Sequence, residues 1–400
     1  MSQAKVIAVV VIVAIVIAAL SIGGSFLVAS SRQKKEEKEF QTAKGLLENK
    51  QTEEALRLLK EHITKYPKGA TAAESMFLLA KTQIEQKADS TDALALCERI
   101  LKDFPNSPFA AQALYYKALS MVKERPIKDE NKPVLTEMAK KSTSRQASYV
   151  AEYGLALVDL DEGRFPEAKS KMDALLERSI PDVLRQMVED SLGSLNLRML
   201  NSQELYGDDQ THELQTGDYL YKLAKKYDIS LELLMKVNSI TDPKRLPLGQ
   251  KLKIPKLNFS ILVDKNTNTL TLLNDGKFFK KYIIRTGAYE NQTPLGEYKI
   301  QNKKHDPKWV NPRTLKIYNA GDPENELGTR WMSFKDDRLG IHGTIKPETI
   351  GYYSSFGCVG MLKEDVEELF DLITVGTPIK IVGQMNPEIV EKSKALGYRD

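Results

Sequence analysis

This chain is poor in the residues that build metal centres and disulfide frameworks. Its 400 residues hold two cysteines, Cys97 and Cys358, and four histidines. Two thiols are too few for a disulfide framework. A structural zinc site needs four ligands and a catalytic one three; no CxxC, HExxH or further His/Cys cluster supplies them, so no metal and no cofactor is expected. P-loop, GxGxxG and nucleic-acid motifs are absent too. The formal net charge of +4 is slight for this length, which argues against a nucleic-acid partner. An apolar fraction of 42% permits ordinary cores, and the length suggests about two to four domains.

One long stretch lacks charge altogether. Val6 to Val28 is dominated by Val, Ile and Ala; as a helix it reaches roughly 34 Å, enough for a bilayer core of about 30 Å. Lys5 precedes it, and Arg32, Lys34 and Lys35 follow. The apolar run exceeds the usual h-region of a cleaved signal. Residues 1–35 therefore read as a membrane anchor or signal segment, helical over about 6–29, with cleavage near Ala29 or Ser30 as the alternative to the preferred uncleaved anchor, and with the body outside the cytoplasm in the periplasm or cell wall. The flanking charges slightly favour the opposite orientation, a rule the first segment does not always obey.

The stretch richest in chemistry lies near the other end. Gly340-Ile341-His342-Gly343-Thr344 is followed by Ser355-Phe356-Gly357-Cys358-Val359-Gly360-Met361, with Cys358 sixteen positions after His342. A thiol becomes a useful nucleophile when a neighbouring base or cation lowers its pKa from about 8.5. Glycines beside both residues let backbone amides approach a reacting carbonyl, as an oxyanion site requires. The pattern reads as a Cys/His acyl-transfer centre. Taken alone, the same residues are also compatible with an inert packed thiol, a hydrogen-bonded structural histidine and a turn glycine.

The surrounding motifs favour the first reading. Ile261-Leu262-Val263-Asp264 precedes Leu270-Thr271-Leu272-Leu273 and Asn274-Asp275-Gly276-Lys277; then come Thr286-Gly287 and Thr293-Pro294-Leu295-Gly296-Glu297-Tyr298. In order and spacing these resemble the catalytic domain of the L,D-transpeptidases, mainly-β enzymes of bacterial peptidoglycan cross-linking. The resemblance implies Cys358 as nucleophile, His342 as base and proton donor, the Gly343 carbonyl as its orienter, amides at Gly357 and Cys358 as oxyanion donors, and Ser355 as part of the motif. It implies a thioester with the donor stem peptide, resolved by an acceptor amine; attack by water instead would make an L,D-carboxypeptidase. Many members carry Arg two residues after the cysteine, where this chain has Gly360. Either another basic residue substitutes, with Lys346 and Arg338 as candidates, or the substrate differs, or activity is weakened and the chain is a wall-binding scaffold. Retention of Cys358, His342 and Ser355 argues against the last.

Two further regions complete the chain. Residues 36–205 read as helices with a repeat at an offset of 38: Ala55-Leu56 returns as Ala93-Leu94, Tyr66-Pro67 as Phe104-Pro105, Ala72-Ala73 as Ala110-Ala111, Phe77 and Ala80 as Tyr115 and Ala118. Small residues at helix contacts and Pro between helices suit stacked helix pairs. The pattern resembles tetratricopeptide-like repeats, with a degenerate third copy over Ala147 to Leu200, and serves either as a docking surface for a protein partner or as a rigid spacer. Cys97 lies on an apolar stripe and reads as core. Residues 210–256, with Thr216-Gly217-Asp218, Ser230 as an N-cap and Gly249-Gln250-Lys251-Leu252-Lys253-Ile254-Pro255, resemble a LysM domain, a small βααβ (α+β) module. That resemblance implies binding of peptidoglycan glycan strands at Gly217, Asp218, Tyr219, Leu220, Asn238 and Ile240. His62, His212 and His305 read as structural or solvated. The expected architecture is multidomain: an anchor helix, an all-α repeat region, the LysM module, a mainly-β catalytic domain over 258–384 and a tail over 385–400.

Overall fold

A computed structural model describes residues 30–399, apart from 87–89, 124, 312 and 313. The apolar segment Val6–Val28 lies outside the described residues, and no helix among those described is long and apolar enough to cross a membrane. The chain divides into two compact units, residues 1–163 and 164–400.

Among the described residues, the regular structure of the first unit is all helix: α1 over 30–48, α2 (Thr52–Lys65), α3 (Ala72–Glu85), α4 (Ser90–Asp103), α5 (Ala110–Lys123), α6 (Asn131–Lys141) and α7 (Arg145–Asp161). The repeat is visible in its packing. Ala55 and its counterpart Ala93 are fully buried, as are Ala80 and Ala118, because only a methyl-sized side chain lets neighbouring helix backbones come this close. His62 is buried in a polar chain, with Nε2 3.2 Å from Thr71 Oγ1 and Nδ1 3.1 Å from Ser75 Oγ. Thr71 in turn donates through N and Oγ1 to Glu36 of α1. Burial holds the His62 pKa below its usual range. Cys97 is fully buried, and burial pushes its thiol up to about 12.

The third repeat runs differently from the sequence reading. Helices α6 and α7 pair with each other, and the next two, α8 (Phe165–Leu176) and α9 (Asp182–Asn201), belong to the second unit. The physical reason is the buried face of α9, which covers a β-sheet rather than another repeat. Asn196 Nδ2 donates to Phe279 O at 2.8 Å, Lys281 pairs with Glu189, and Leu200 enters the core beneath that sheet.

The rest of the second unit begins with the βααβ module: β1 (Gln210–Glu213), α10 (Leu220–Lys226), α11 (Leu231–Val237) and β2 (Lys251–Ile254), with β1 and β2 antiparallel. Next come β3 (Phe259–Asp264), β4 (Thr269–Asn274), β5 (Lys277–Ile283), β6 (Thr286–Gly287), β7 (Gly296–Lys299), β8 (Asn302–His305), β9 (Trp309–Val310) and β10 (Ile317–Tyr318). Then β11 (Arg330–Lys335), β12 (Leu339–His342), β13 (Tyr353–Ser355), β14 (Val359–Gly360), α12 (Lys363–Leu372), β15 (Pro378–Val382) and α13 (Pro387–Ala395) close the chain. A five-stranded sheet in the order β5-β4-β3-β15-β7 stands beside a four-stranded sheet, β14-β12-β11-β8. Strand β3 alternates buried and half-buried residues, as a strand with one face on a core must. The core between the sheets includes Ile261, Val263, Met332, Phe334 and Ile341, with Val366 and Phe370 from α12.

Two parts of this unit are more closely integrated than their sequences suggest. Leu233 and Val237 of α11 belong to the core of the β-sheets, and the Ser230 hydroxyl caps α11 while donating to Asp371 O. The buried Lys253 ammonium donates to the carbonyls of Met199, Ser202 and Glu204. Residues 385–400 include the helix α13, whose Ser393 hydroxyl accepts from Tyr353 N of β13 at 3.1 Å.

Candidate active site

The site is assembled by the four-stranded sheet. Strand β14 runs parallel to β12, with Ile341 opposite Val359 and His342 opposite Gly360. Cys358 immediately precedes β14, so strand alternation puts its side chain and that of His342 on the same cavity. That cavity, about 500 Å³, is also lined by Arg285, Trp331 and Ser355. Gly340 is required here: a Cβ would stand 2.7 Å from Met332 O and 2.8 Å from the Trp331 indole. Trp331 lies nearly parallel to the His342 ring at 6.1 Å.

His342 is 4% exposed, and its Nδ1 lies 2.5 Å from Gly343 O. A carbonyl only accepts, so Nδ1 carries the proton and Nε2 keeps its lone pair. Burial, reinforced by the charge of Arg285, pushes the His342 pKa down to about 3. Burial also raises the Cys358 thiol, against smaller opposing effects of the Gly340 backbone and Arg285. The resting pair is thus a neutral thiol and a neutral imidazole. The thiol, half-buried, donates to Arg338 O at 3.8 Å.

The turn carrying Cys358 is held by hydroxyls. Ser355 Oγ donates to Cys358 O at 2.6 Å and accepts from Gly357 N at 3.1 Å. The Gly357 amide, expected at the oxyanion site, is therefore engaged within the turn. Thr293 Oγ1 donates to Gly357 O at 2.8 Å and accepts from Gly287 N at 2.9 Å, tying two distant motifs together. Gly357 has φ +126°, and a Cβ there would meet Gln292 O at 2.4 Å.

The basic residue packed against Gly360 is neither candidate from the sequence. Lys346 pairs with Glu326, and Arg338 lines the cavity with its exposed side chain paired to Asp336. Arg285, 5% exposed, exchanges backbone hydrogen bonds with Gly360 in both directions, and its side chain fills the space a Cβ at 360 would need, 2.4 Å from Nε. Sequence reading passed over Arg285; its only local signal is its place directly before Thr286-Gly287.

A family model described as the L,D-transpeptidase catalytic domain matches residues 258–381. The curated Bacillus subtilis (strain 168) protein "Putative L,D-transpeptidase YqjB" is 36% identical over 143 residues, covering 34% of this chain and 79% of that protein. The same organism's "Putative L,D-transpeptidase YkuD" is 32% identical over 177 residues, covering 43% and 98%. The chain belongs to the L,D-transpeptidase family. A LysM model matches residues 212–255, and a helical model described as an outer membrane lipoprotein matches residues 32–175.

In the LysM domain of this L,D-transpeptidase family member, the residues inferred from sequence separate into two kinds. Gly217 adopts φ +90°, and Asp218 accepts from His212 and from Gln215 N, which shapes the turn. Tyr219 is 62% exposed and is the side chain of the set most open to a ligand. Leu220 is buried in the domain core, Ile240 packs half-buried against it, and Asn238 clasps Leu234 O and the backbone of Lys253. Those three side chains hold the fold, whereas Tyr221 and Leu248, not selected from sequence, are exposed. His305, expected to be structural or solvated, lies 3.1 Å from Glu232 of the LysM domain. Among the described residues no group of three or more His, Cys, Asp or Glu could hold a metal ion.

Proposed function

We propose that this chain is a peptidoglycan L,D-transpeptidase that carries the donor stem peptide as a thioester on Cys358. The observation that supports this best is the parallel register of β12 and β14, which places His342 and Cys358 on one cavity, with Nδ1 tied to Gly343 O and Nε2 left as the base.

The thiol proton passes to His342 Nε2 as sulfur attacks the carbonyl of the third stem residue, at the bond that joins it to the terminal D-alanine. The Cys358 amide stabilises the oxyanion. The carbon–nitrogen bond breaks, and the departing D-alanine amine takes the proton from His342. An acceptor amine then attacks the thioester, gives its proton to His342, and the thiol is restored. The LysM domain would keep the enzyme on glycan strands, and the apolar segment 6–28 would keep it at the membrane with the catalytic part outside the cytoplasm.

Intact-mass measurement after incubation with a stem tetrapeptide or a carbapenem tests this. Wild type should gain one adduct, Cys97→Ala the same adduct, and Cys358→Ala none. An adduct persisting in Cys358→Ala would overturn the reading.

A further inference from the structure

The cavity around Cys358 is electropositive. It is lined by Arg285, Lys304, Lys308 and Arg338 against Glu326 and Asp337, and Glu326 already accepts from Lys346 at 2.7 Å. Within it Arg285 is the unusual group. The residue is only 5% exposed. Nη1 donates to the neutral Thr349 hydroxyl at 3.2 Å, and Nε is buried without a hydrogen-bond partner. A buried guanidinium normally faces a carboxylate, because a buried charge without a counter-charge is costly. Burial opposes its charge more than the charges of Glu326, Cys358 and Glu348 favour it, and Arg285 forms no ion pair with either glutamate among the described contacts. Arg285 fits this position only because residue 360 is glycine.

We infer that Arg285 is the anion-binding residue of this cavity and receives the terminal carboxylate of the acyl donor, the group next to the bond that Cys358 breaks. The inference rests on the proposed donor chemistry. The carboxylate would supply the counter-charge that the fold withholds, and a guanidinium suits it because two N–H groups can meet two oxygens. The anchored carboxylate then fixes the scissile carbonyl beside the sulfur, and product release follows naturally, since the carboxylate leaves with the departing amino acid.

Binding measured in Cys358→Ala separates this inference from the chemistry. By calorimetry, a stem tetrapeptide with a free terminal carboxylate should bind about tenfold or more tighter than the same peptide with a terminal amide, the worth of a charge-assisted hydrogen bond. In Cys358→Ala/Arg285→Met the two peptides should bind alike. Arg285→Lys, which keeps the charge, should retain part of the preference. Adding Gly360→Arg to Arg285→Met should restore part of it, because the new side chain enters the vacated space. Equal binding of acid and amide to Cys358→Ala, no binding of either, or a preference that survives Arg285→Met would each overturn the assignment. None of these outcomes alters whether Cys358 in the wild type forms an adduct, so the two proposals fail separately.

Discussion

At the scale of single residues, the two thiols show how position decides reactivity. Cys97 is sealed in the helical unit with its pKa pushed up to about 12, whereas Cys358 opens on a cavity beside an imidazole held neutral. The depressed pKa of His342 has a consequence for pH. An ordinary histidine would be half protonated near about 6.5 and would lose its function as a base below that. With a pKa near 3, His342 stays unprotonated as pH falls through that range. Acylation of Cys358 by a carbapenem should therefore hold its rate between about pH 5 and 7; a fall centred near 6.5 in stopped-flow or mass-spectrometric rates would contradict it. The His342 and Cys358 motifs were legible because each is contiguous. Arg285 was not, since only the bridge between residues 285 and 360 brings it to the site.

At the scale of elements, the site depends on how one turn is clamped. Thr293 links Gly287 to Gly357 through a fully buried hydroxyl. Thr293→Val keeps the shape and removes both hydrogen bonds, leaving a buried amide and a buried carbonyl unsatisfied at about 1–3 kcal/mol each. Gly357→Ala adds a Cβ against Gln292 O in a backbone region that costs about 1–3 kcal/mol for other residues. Both variants should lower the unfolding midpoint of the second unit and slow acylation, Gly357→Ala more than Thr293→Val. Tryptophan fluorescence reports that transition selectively, because Trp309 and Trp331, the two tryptophans of the chain, both lie in it. An unchanged midpoint for Gly357→Ala would show that the turn relaxes freely. The Thr-Gly and Thr-Pro motifs were visible in sequence as family marks, but their joint work as a clasp required the fold.

At the scale of the whole molecule, the LysM domain is a structural neighbour of the catalytic sheets as well as a candidate wall-binding module. Deleting residues 211–255 would remove Leu233 and Val237 from the core of the β-sheets, exposing the apolar side chains they cover, at about 1.5–3 kcal/mol for each side chain fully laid bare. The deletion should lower the unfolding midpoint of the second unit, and loss of acylation in it would not report on glycan binding. The cleaner variant is Tyr219→Ala/Tyr221→Ala, at two exposed rings. It should reduce co-sedimentation with purified peptidoglycan while leaving Cys358 acylation at the wild-type rate; undiminished sedimentation would remove the rings from the binding surface. The sequence by itself determined the order of the parts: the 38-residue helical period, the LysM motifs and the Cys/His motifs each arise from residues near one another in the chain. Tertiary structure alone decided where the helical region divides, that α9 and α11 complete a β-protein core, and that Arg285 fills the space left by Gly360. Those outcomes depend on which distant faces meet, and periodicity marks a face as apolar without naming its partner.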